Sequence, residues 1–215
     1  MINVTKFTFN GFQENTFLLE ANDKSCYIID PGCYSSEERN ELSEYITHHG
    51  LKPKGVIQTH CHLDHVFGTD WARAKWNIPM GCHEKDVYTL NMAQPSAKLY
   101  GFGNFDPVEA PDFFIDEGEP LLLGDEEMEV RFTPGHCVGH IVFIHHESKF
   151  VIAGDCLFQG SIGRTDLPGG DYATLEQAIQ TQLYTLPDDY TVYCGHGPET
   201  SIGFEKQNNP FVKAI

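Results

Sequence analysis

Asn3 to Phe9 sets Val4, Phe7 and Phe9 among polar residues in an imperfect two-residue rhythm. That rhythm predicts a strand, and Gly11 breaks it. Phe17-Leu18-Leu19 and Cys26-Tyr27-Ile28-Ile29 predict a hairpin turning at Asn22-Asp23. Asp30-Pro31-Gly32 ends its second strand with strong turn chemistry. Ser35 or Ser36 then caps a helix that carries Glu37, Glu38 and Arg39 in its first turns. Leu42, Tyr45 and Ile46 fall three and four apart and give that helix one buried stripe, and Gly50 closes it. Gly55 to Gln58 predicts a buried strand, Val66 to Trp76 a helix, Ile78 to Cys82 a short strand and Glu84 to Met92 a further helix. From Gln94 to Asp116 no period holds. The aromatic, Gly-rich stretch Tyr100 to Phe105 predicts an irregular insertion, either over a site or a surface loop with its own aromatic packing.

A second β-rich half follows. Met128 to Phe132 alternates as a half-buried strand does. Ile141 to Ile144 and Phe150 to Ala153 are apolar runs of strand length, joined by a link short enough for a hairpin. Thr174 to Leu183 predicts a helix capped by Thr174 or Asp171, and Thr191 to Cys194 a last strand. No close internal repeat is visible. Both halves run strands first and helix later. This order suits an α/β sandwich of two sheets with helices outside and a site at one edge. The 215 residues are read as one domain, 1–215.

Composition narrows the partners. The net charge is −17 with histidines neutral, a surface that repels phosphate backbones, so nucleic acid is not expected. No apolar run reaches membrane-spanning length, so no membrane partner is expected. The first residues lack a basic region followed by an apolar stretch, which points to a cytoplasmic protein. Seven cysteines without an export signal and without a CxxC pair read as reduced thiols. The expected partner is a small molecule, and the sequence does not fix an oligomeric state.

Thr59-His60-Cys61-His62-Leu63-Asp64-His65 concentrates the candidate chemistry where a strand ends and a helix begins. Side chains two apart in extended backbone point the same way, so His60 and His62 can face one ion. Asp64 and His65 come after the turn and can face a second. Zinc takes imidazole nitrogen and carboxylate oxygen at about 2.0–2.2 Å. A hydrolytic two-metal site places its ions about 3.5–4 Å apart. Three further positions have a ligand-type side chain just past an apolar run and beside glycine: His136, Asp155 and His196. The set His60, His62, Asp64, His65, His136, Asp155 and His196 is the right size for two ions with a bridging water. Cys61 and Cys137 adjoin candidate ligands but are left out, because neighbouring histidines fill those positions. His48, His49, His83, His145 and His146 lack the combination of strand end and glycine and are left out. His140, four residues past His136, can orient a ligand from behind.

These residues resemble the metallo-β-lactamase superfamily. His60-Cys61-His62-Leu63-Asp64-His65 matches its HxHxDH signature, and His136, Asp155 and His196 follow in the order of its later ligands. Gly154-Asp155-Cys156-Leu157-Phe158 through Asp166, with Asn15-Thr16, Asp30-Pro31-Gly32 and Gly195-His196-Gly197-Pro198, is similar to the small glyoxalase II-like hydrolases. The resemblance implies an αβ/βα sandwich of two mixed sheets with helices on the outer faces. It implies one zinc on His60, His62 and His136, a second on Asp64, His65 and His196, and Asp155 between them. Iron or manganese in one or both positions is the alternative. The implied reaction is hydrolysis of a thioester such as an S-acylglutathione. Asp64 is the candidate catalytic carboxylate, relaying a proton to the leaving group. A persulfide dioxygenase with one iron on His60, His136 and Asp155 is the alternative, and another acyl or lactam substrate a second one. Full-length glyoxalase II carries a helical C-terminal domain with basic residues that hold glutathione, whereas the stretch 204–215 offers only Lys206 and Lys213. No GxSxG elbow is present, which argues against a serine nucleophile. Arg164 is expected to pair with a carboxylate and brace the loop after Asp155, with substrate anchoring as the alternative.

Overall fold

Two six-stranded mixed sheets lie face to face, as the computed structural model shows. It describes residues 1–103 and 105–214; Asn104, within the expected insertion, and Ile215 lie outside the described residues. The first sheet runs β1 (Asn3–Phe9), β2 (Glu14–Glu20), β3 (Ser25–Ile29), β4 (Lys52–Ile57), β5 (Met80–Cys82) and β6 (Phe113–Phe114), in chain order. Its first two pairings are antiparallel and the next three parallel. The second contains β7 (Leu121–Leu123), β8 (Glu126–Phe132), β9 (Ile141–His145), β10 (Phe150–Gly154), β13 (Thr191–Cys194) and β14 (Thr200–Ser201). Only β10 and β13 pair in parallel there. A small ribbon, β11 (Leu157–Phe158) with β12 (Ser161–Ile162), follows β10.

The two-residue period of a strand assigns each side chain to a layer. Phe17, Leu19, Ile29 and Ile57 face inward and meet Val130, Ile141, Phe143 and Ile152 of the other sheet. Their neighbours Leu18, Ile28 and Val56 face outward. There they pack on Leu42 and Ile46 of α1 (Ser36–His48), Ala72 of α3 (Thr69–Trp76) and Leu90 of α4 (Val87–Leu99). On the far side Val142, Ile144, Val151 and Val192 pack on Leu175 of α5 (Tyr172–Ala178), on Ile179 and Leu183 beyond it, and on Ile202 of α6 (Ile202–Asn208). The result is the expected αβ/βα sandwich.

The structure chooses between the alternatives at two helix caps and shifts two helix boundaries. Ser35 rather than Ser36 caps α1, in a box completed by Glu38. Asp171 caps α5. The helix predicted from Val66 starts earlier, as the short α2 (Leu63–Val66), and is interrupted before α3 at Gly68. A Cβ there would lie 2.3 Å from Cys33 Sγ. The helix predicted to end at Met92 continues to Leu99 through Pro95. Proline forfeits one backbone hydrogen bond, but Ala93 and Ala97 on either side are buried in the outer core and hold the turn in place. The described residues between Tyr100 and Asp112 form neither helix nor strand, and β6 follows. Both readings of the insertion apply: Phe102 and Phe105 pack on Phe67, with ring centroids 4.9 and 5.4 Å away, while Tyr100 lines the cavity at the candidate site. All seven cysteines are free and buried.

Candidate metal centre

Every candidate ligand sits just past a strand on one edge of the sandwich. β4 leads to His60 and His62, β8 to His136, β10 to Asp155 and β13 to His196. α2 carries Asp64 and His65. His60, His62 and His136 form one trio of donor atoms lying within 4.8 Å of one another, and Asp64, His65 and His196 form a second. Asp155 stands between them. Its Oδ1 is 3.4 Å from His65 Nε2, and its Oδ2 is 3.6 Å from His136 Nε2 and 3.5 Å from His196 Nε2. All seven residues expected from sequence therefore meet at one place.

The other ring nitrogens decide how the imidazoles face. His65 Nδ1 lies 3.2 Å from Asp30 Oδ2, and His60 Nδ1 lies 3.1 Å from Thr59 Oγ1. His136 Nδ1–H donates to the Arg164 carbonyl, and His196 Nδ1–H to the carbonyls of Phe12 and Gln13. Each bond turns the Nε2 of its ring towards the centre. His62 is turned the other way, with Nδ1 2.8 Å from His136 Nε2. His60 Nε2, His65 Nε2 and Asp155 Oδ1 are fully buried and have no hydrogen-bond partner. Buried polar atoms are ordinarily paired. Three lone-pair atoms left over and converging are a donor set that fits a bound cation.

Charge is distributed accordingly. Burial holds His60 well below the usual imidazole range and takes His62 down to about 3, neighbouring imidazoles adding to both. For Asp155, burial acts upward but is outweighed by His65, His196 and His136, so the carboxylate stays ionised. Burial would lower His65, but Asp155 and Asp64 outweigh it and raise the group well above its ordinary value, so a cation bound at Nε2 would take the place of a proton there.

Three supporting groups lie outside the sequence-derived set. Asp30, 2% exposed, accepts from the Thr59 backbone N–H and hydroxyl as well as facing His65. Asp86 accepts from the backbone of Cys61 and of Gly139 and from the Cys137 thiol, tying the His60–His62 turn to the loop carrying His136. His140 Nε2 accepts from the Asp155 N–H while Nδ1 meets Thr133 Oγ1, which is the expected orienting position. Burial raises the Cys61 and Cys137 thiols well above their usual range. The remaining histidines are engaged away from the centre, His145 with Glu126 and His146 with Glu129.

Gly195 shows how tightly the centre is built. A Cβ there would stand 2.2 Å from Asp155 Oδ1 and 3.0 Å from His65 Cε1. Gly195→Ala is expected to lower metal content and turnover roughly 10–100-fold, by displacing a ligand, while the circular dichroism spectrum stays native. Elemental analysis beside a rate measurement checks this.

The superfamily profile "Metallo-beta-lactamase superfamily" matches residues 9–196. The chain belongs to that superfamily. It is 39% identical over 214 residues, 99% of each chain, to hydroxyacylglutathione hydrolase GloC of Haemophilus influenzae. It is 38% identical to the probable metallo-hydrolase YqgX of Bacillus subtilis over 94% of each chain. Among solved structures, BLEG-1 B3 metallo-beta-lactamase superposes with a TM-score of 0.90 at 31% identity, covering 98% of this chain and 99% of that one. TTHA1623, in a di-iron-bound form, gives 0.87 at 33% identity, covering 97% and 100%. The protein is thus a metallo-hydrolase of this superfamily that binds divalent metal and acts on a small molecule. Among the described residues no helix is long and apolar enough to cross a membrane.

Proposed function

We propose that the chain is a binuclear zinc hydrolase of thioesters such as S-acylglutathiones, and that residues 1–215 form one domain for that purpose. The observation that carries this reading is the Asp155 carboxylate, placed between two separate trios of donors. His60, His62 and His136 would hold one ion, Asp64, His65 and His196 the other, and Asp155 would be shared. A single-iron site on His60, His136 and Asp155 would leave Asp64, His65 and His196 converging without a purpose, so the dioxygenase reading is the weaker one. The likeness to the GloC hydrolase supports a thioester, and the likeness to TTHA1623 makes iron the alternative metal.

Bound zinc would supply a water acidified to a pKa of about 7 and polarise the carbonyl. The chain's own groups do the rest. A cavity of about 430 Å³ opens on the centre and is lined by His62, Asp64, His136, Asp155 and His196. Asp64, with Oδ2 3.1 Å from His196 Nε2, faces this cavity and is the carboxylate placed to carry a proton towards the leaving thiolate. His140 and Asp30 keep Asp155 and His65 aimed inward.

Elemental analysis of purified protein, with thiol release from a thioester panel and lactam cleavage run alongside, tests the proposal. About two zinc ions per chain and thiol release are expected. Full occupancy by one iron, oxygen consumption with a persulfide and no thiol release would replace it with the dioxygenase. Lactam cleavage without thiol release would move it towards the activity for which BLEG-1 is named.

A further inference from the structure

The floor of the cavity is polar, whereas its walls are largely apolar, with Thr89, Ser96, Ser161 and Arg164 set among them. Phe12, Met92 and Tyr100 come from the first half of the chain, and Phe158, Ile162 and Leu167 from the second. Phe12, Met92 and Tyr100 remain 38%, 37% and 47% exposed. Apolar side chains gathered round one opening mark a surface that is covered in use. The wall is also fixed in place. The Phe12 ring meets Tyr100 edge-on at 5.7 Å, and the Phe12 carbonyl accepts from the His196 imidazole. Contact with the wall is therefore rigidly referenced to the centre.

Cationic groups are scarce there. Among the described residues, Arg164 is the only lysine or arginine that lines the cavity. Its guanidinium is already engaged by both oxygens of Asp166, at 2.7 and 2.9 Å. Lys206, beyond the last candidate ligand, is held by Asp188 and the Leu186 carbonyl. A substrate rich in carboxylates has little to bind, and the net charge of −17 repels it further.

A thioester has two halves. Carrier thiols such as glutathione are polar and stay hydrated at the mouth, so the half that can cover an apolar wall is the acyl half. We infer that this centre selects its substrate through an apolar acyl group of aryl size, held against Phe12, Met92 and Tyr100, and not through the thiol carrier or an acyl hydroxyl. This rests on the thioesterase reading above and deepens it.

Two measurements separate the inference from that reading. The first is binding to chelator-treated, metal-free protein of two non-hydrolysable thioethers of N-acetylcysteamine, S-phenethyl and S-ethyl, by calorimetry. The phenethyl compound should bind roughly tenfold tighter or more, the value of burying a few apolar carbons, and Met92→Glu should remove most of that difference. Equal binding of the two, or a preference that Met92→Glu leaves intact, overturns the inference. The second is thiol release by the zinc-loaded protein from phenylacetyl, acetyl and lactoyl thioesters of glutathione. The phenylacetyl ester should have the highest kcat/KM, and the phenylacetyl-to-acetyl ratio should collapse in Met92→Glu. A lactoyl ester cleaved faster than the phenylacetyl ester overturns the inference and leaves the thioesterase reading standing. Phenethyl-selective binding with no thiol from any ester overturns the thioesterase reading and leaves an apolar ligand site at the centre.

Discussion

Asp155→Ala is expected to lower kcat/KM on the order of 10³-fold or more, the value of losing a carboxylate that, on the binuclear reading proposed above, would be shared by two ions. The reason lies in where the two oxygens point. Oδ1 faces His65 from one trio, and Oδ2 faces His136 and His196, one from each trio. Among the described residues, Asp64 lies within reach of His65 and His196, both of one trio, and Asp30 meets His65 through Nδ1, the ring nitrogen turned away from Asp155. Alanine would leave five imidazoles with one carboxylate among them, so bound metal should fall below the wild-type stoichiometry and a second ion should dissociate first. The fold itself should survive. Asp155 is held by its backbone, through the His140 bond to its N–H and the Gly195 bond to the Gly154 carbonyl, neither of which needs its side chain. Metal stoichiometry by elemental analysis, with the rate at saturating zinc, measures both parts. Wild-type turnover in this variant would show that Asp155 does not serve the reaction.

The seven converging residues were legible because strand ends and glycines are local signals. An apolar run followed at once by a ligand-type side chain can put that side chain in only one place, the edge of the sheet. The sandwich was legible in the succession of strands and helices, whereas the strand order within each sheet, set by pairings distant in sequence, was not. What stayed hidden depends on contacts distant in sequence. Asp30-Pro31-Gly32 reads as a turn, and it is one, but its aspartate is folded into the centre to meet Thr59 and His65. The backbone signal is a positive φ of 48° at Asp30, a conformation that non-glycine residues keep only where the surroundings demand it. Glu84-Lys85-Asp86 reads as the solvated start of a helix, yet Asp86 is fully buried beneath the metal-binding turns. The period fades from Gln94, yet the helix runs on to Leu99 with Ala93 and Ala97 buried. The strand Leu121–Leu123 escaped because three consecutive leucines carry no period, although the middle one is exposed and the other two are buried as in any strand.

Asp30 supports the second large prediction, in which two substitutions give opposite signatures. Asp30→Ala removes the partner of three buried groups at once: the Thr59 N–H, the Thr59 hydroxyl and His65 Nδ1. Stranding them should cost about 3–5 kcal/mol of stability, read as a fall in Tm of roughly 6–20 °C for a chain of this size. Asp30→Asn nearly preserves shape, so Tm should change little, but it reverses the protons. The Thr59 N–H can only donate, so it takes the amide oxygen, and the amide nitrogen must face Thr59 Oγ1 and His65. A donor at His65 Nδ1 requires that nitrogen to accept, which places the ring proton on Nε2 and closes the atom that faces Asp155. The Thr59 hydroxyl, now accepting from the amide, turns its proton towards His60 Nδ1, 3.1 Å away. That closes His60 Nε2 in the same way. One carboxylate thus sets the tautomer of a ligand in each trio, and Asp30→Asn should weaken both metals about 10–100-fold in a protein that melts almost like wild type. Zinc titration against a chelator, run beside calorimetric melting, gives the two readings. Tight zinc binding by Asp30→Asn would mean that the imidazoles are oriented by packing alone and that the proton order described for Asp30, Thr59 and His65 is wrong.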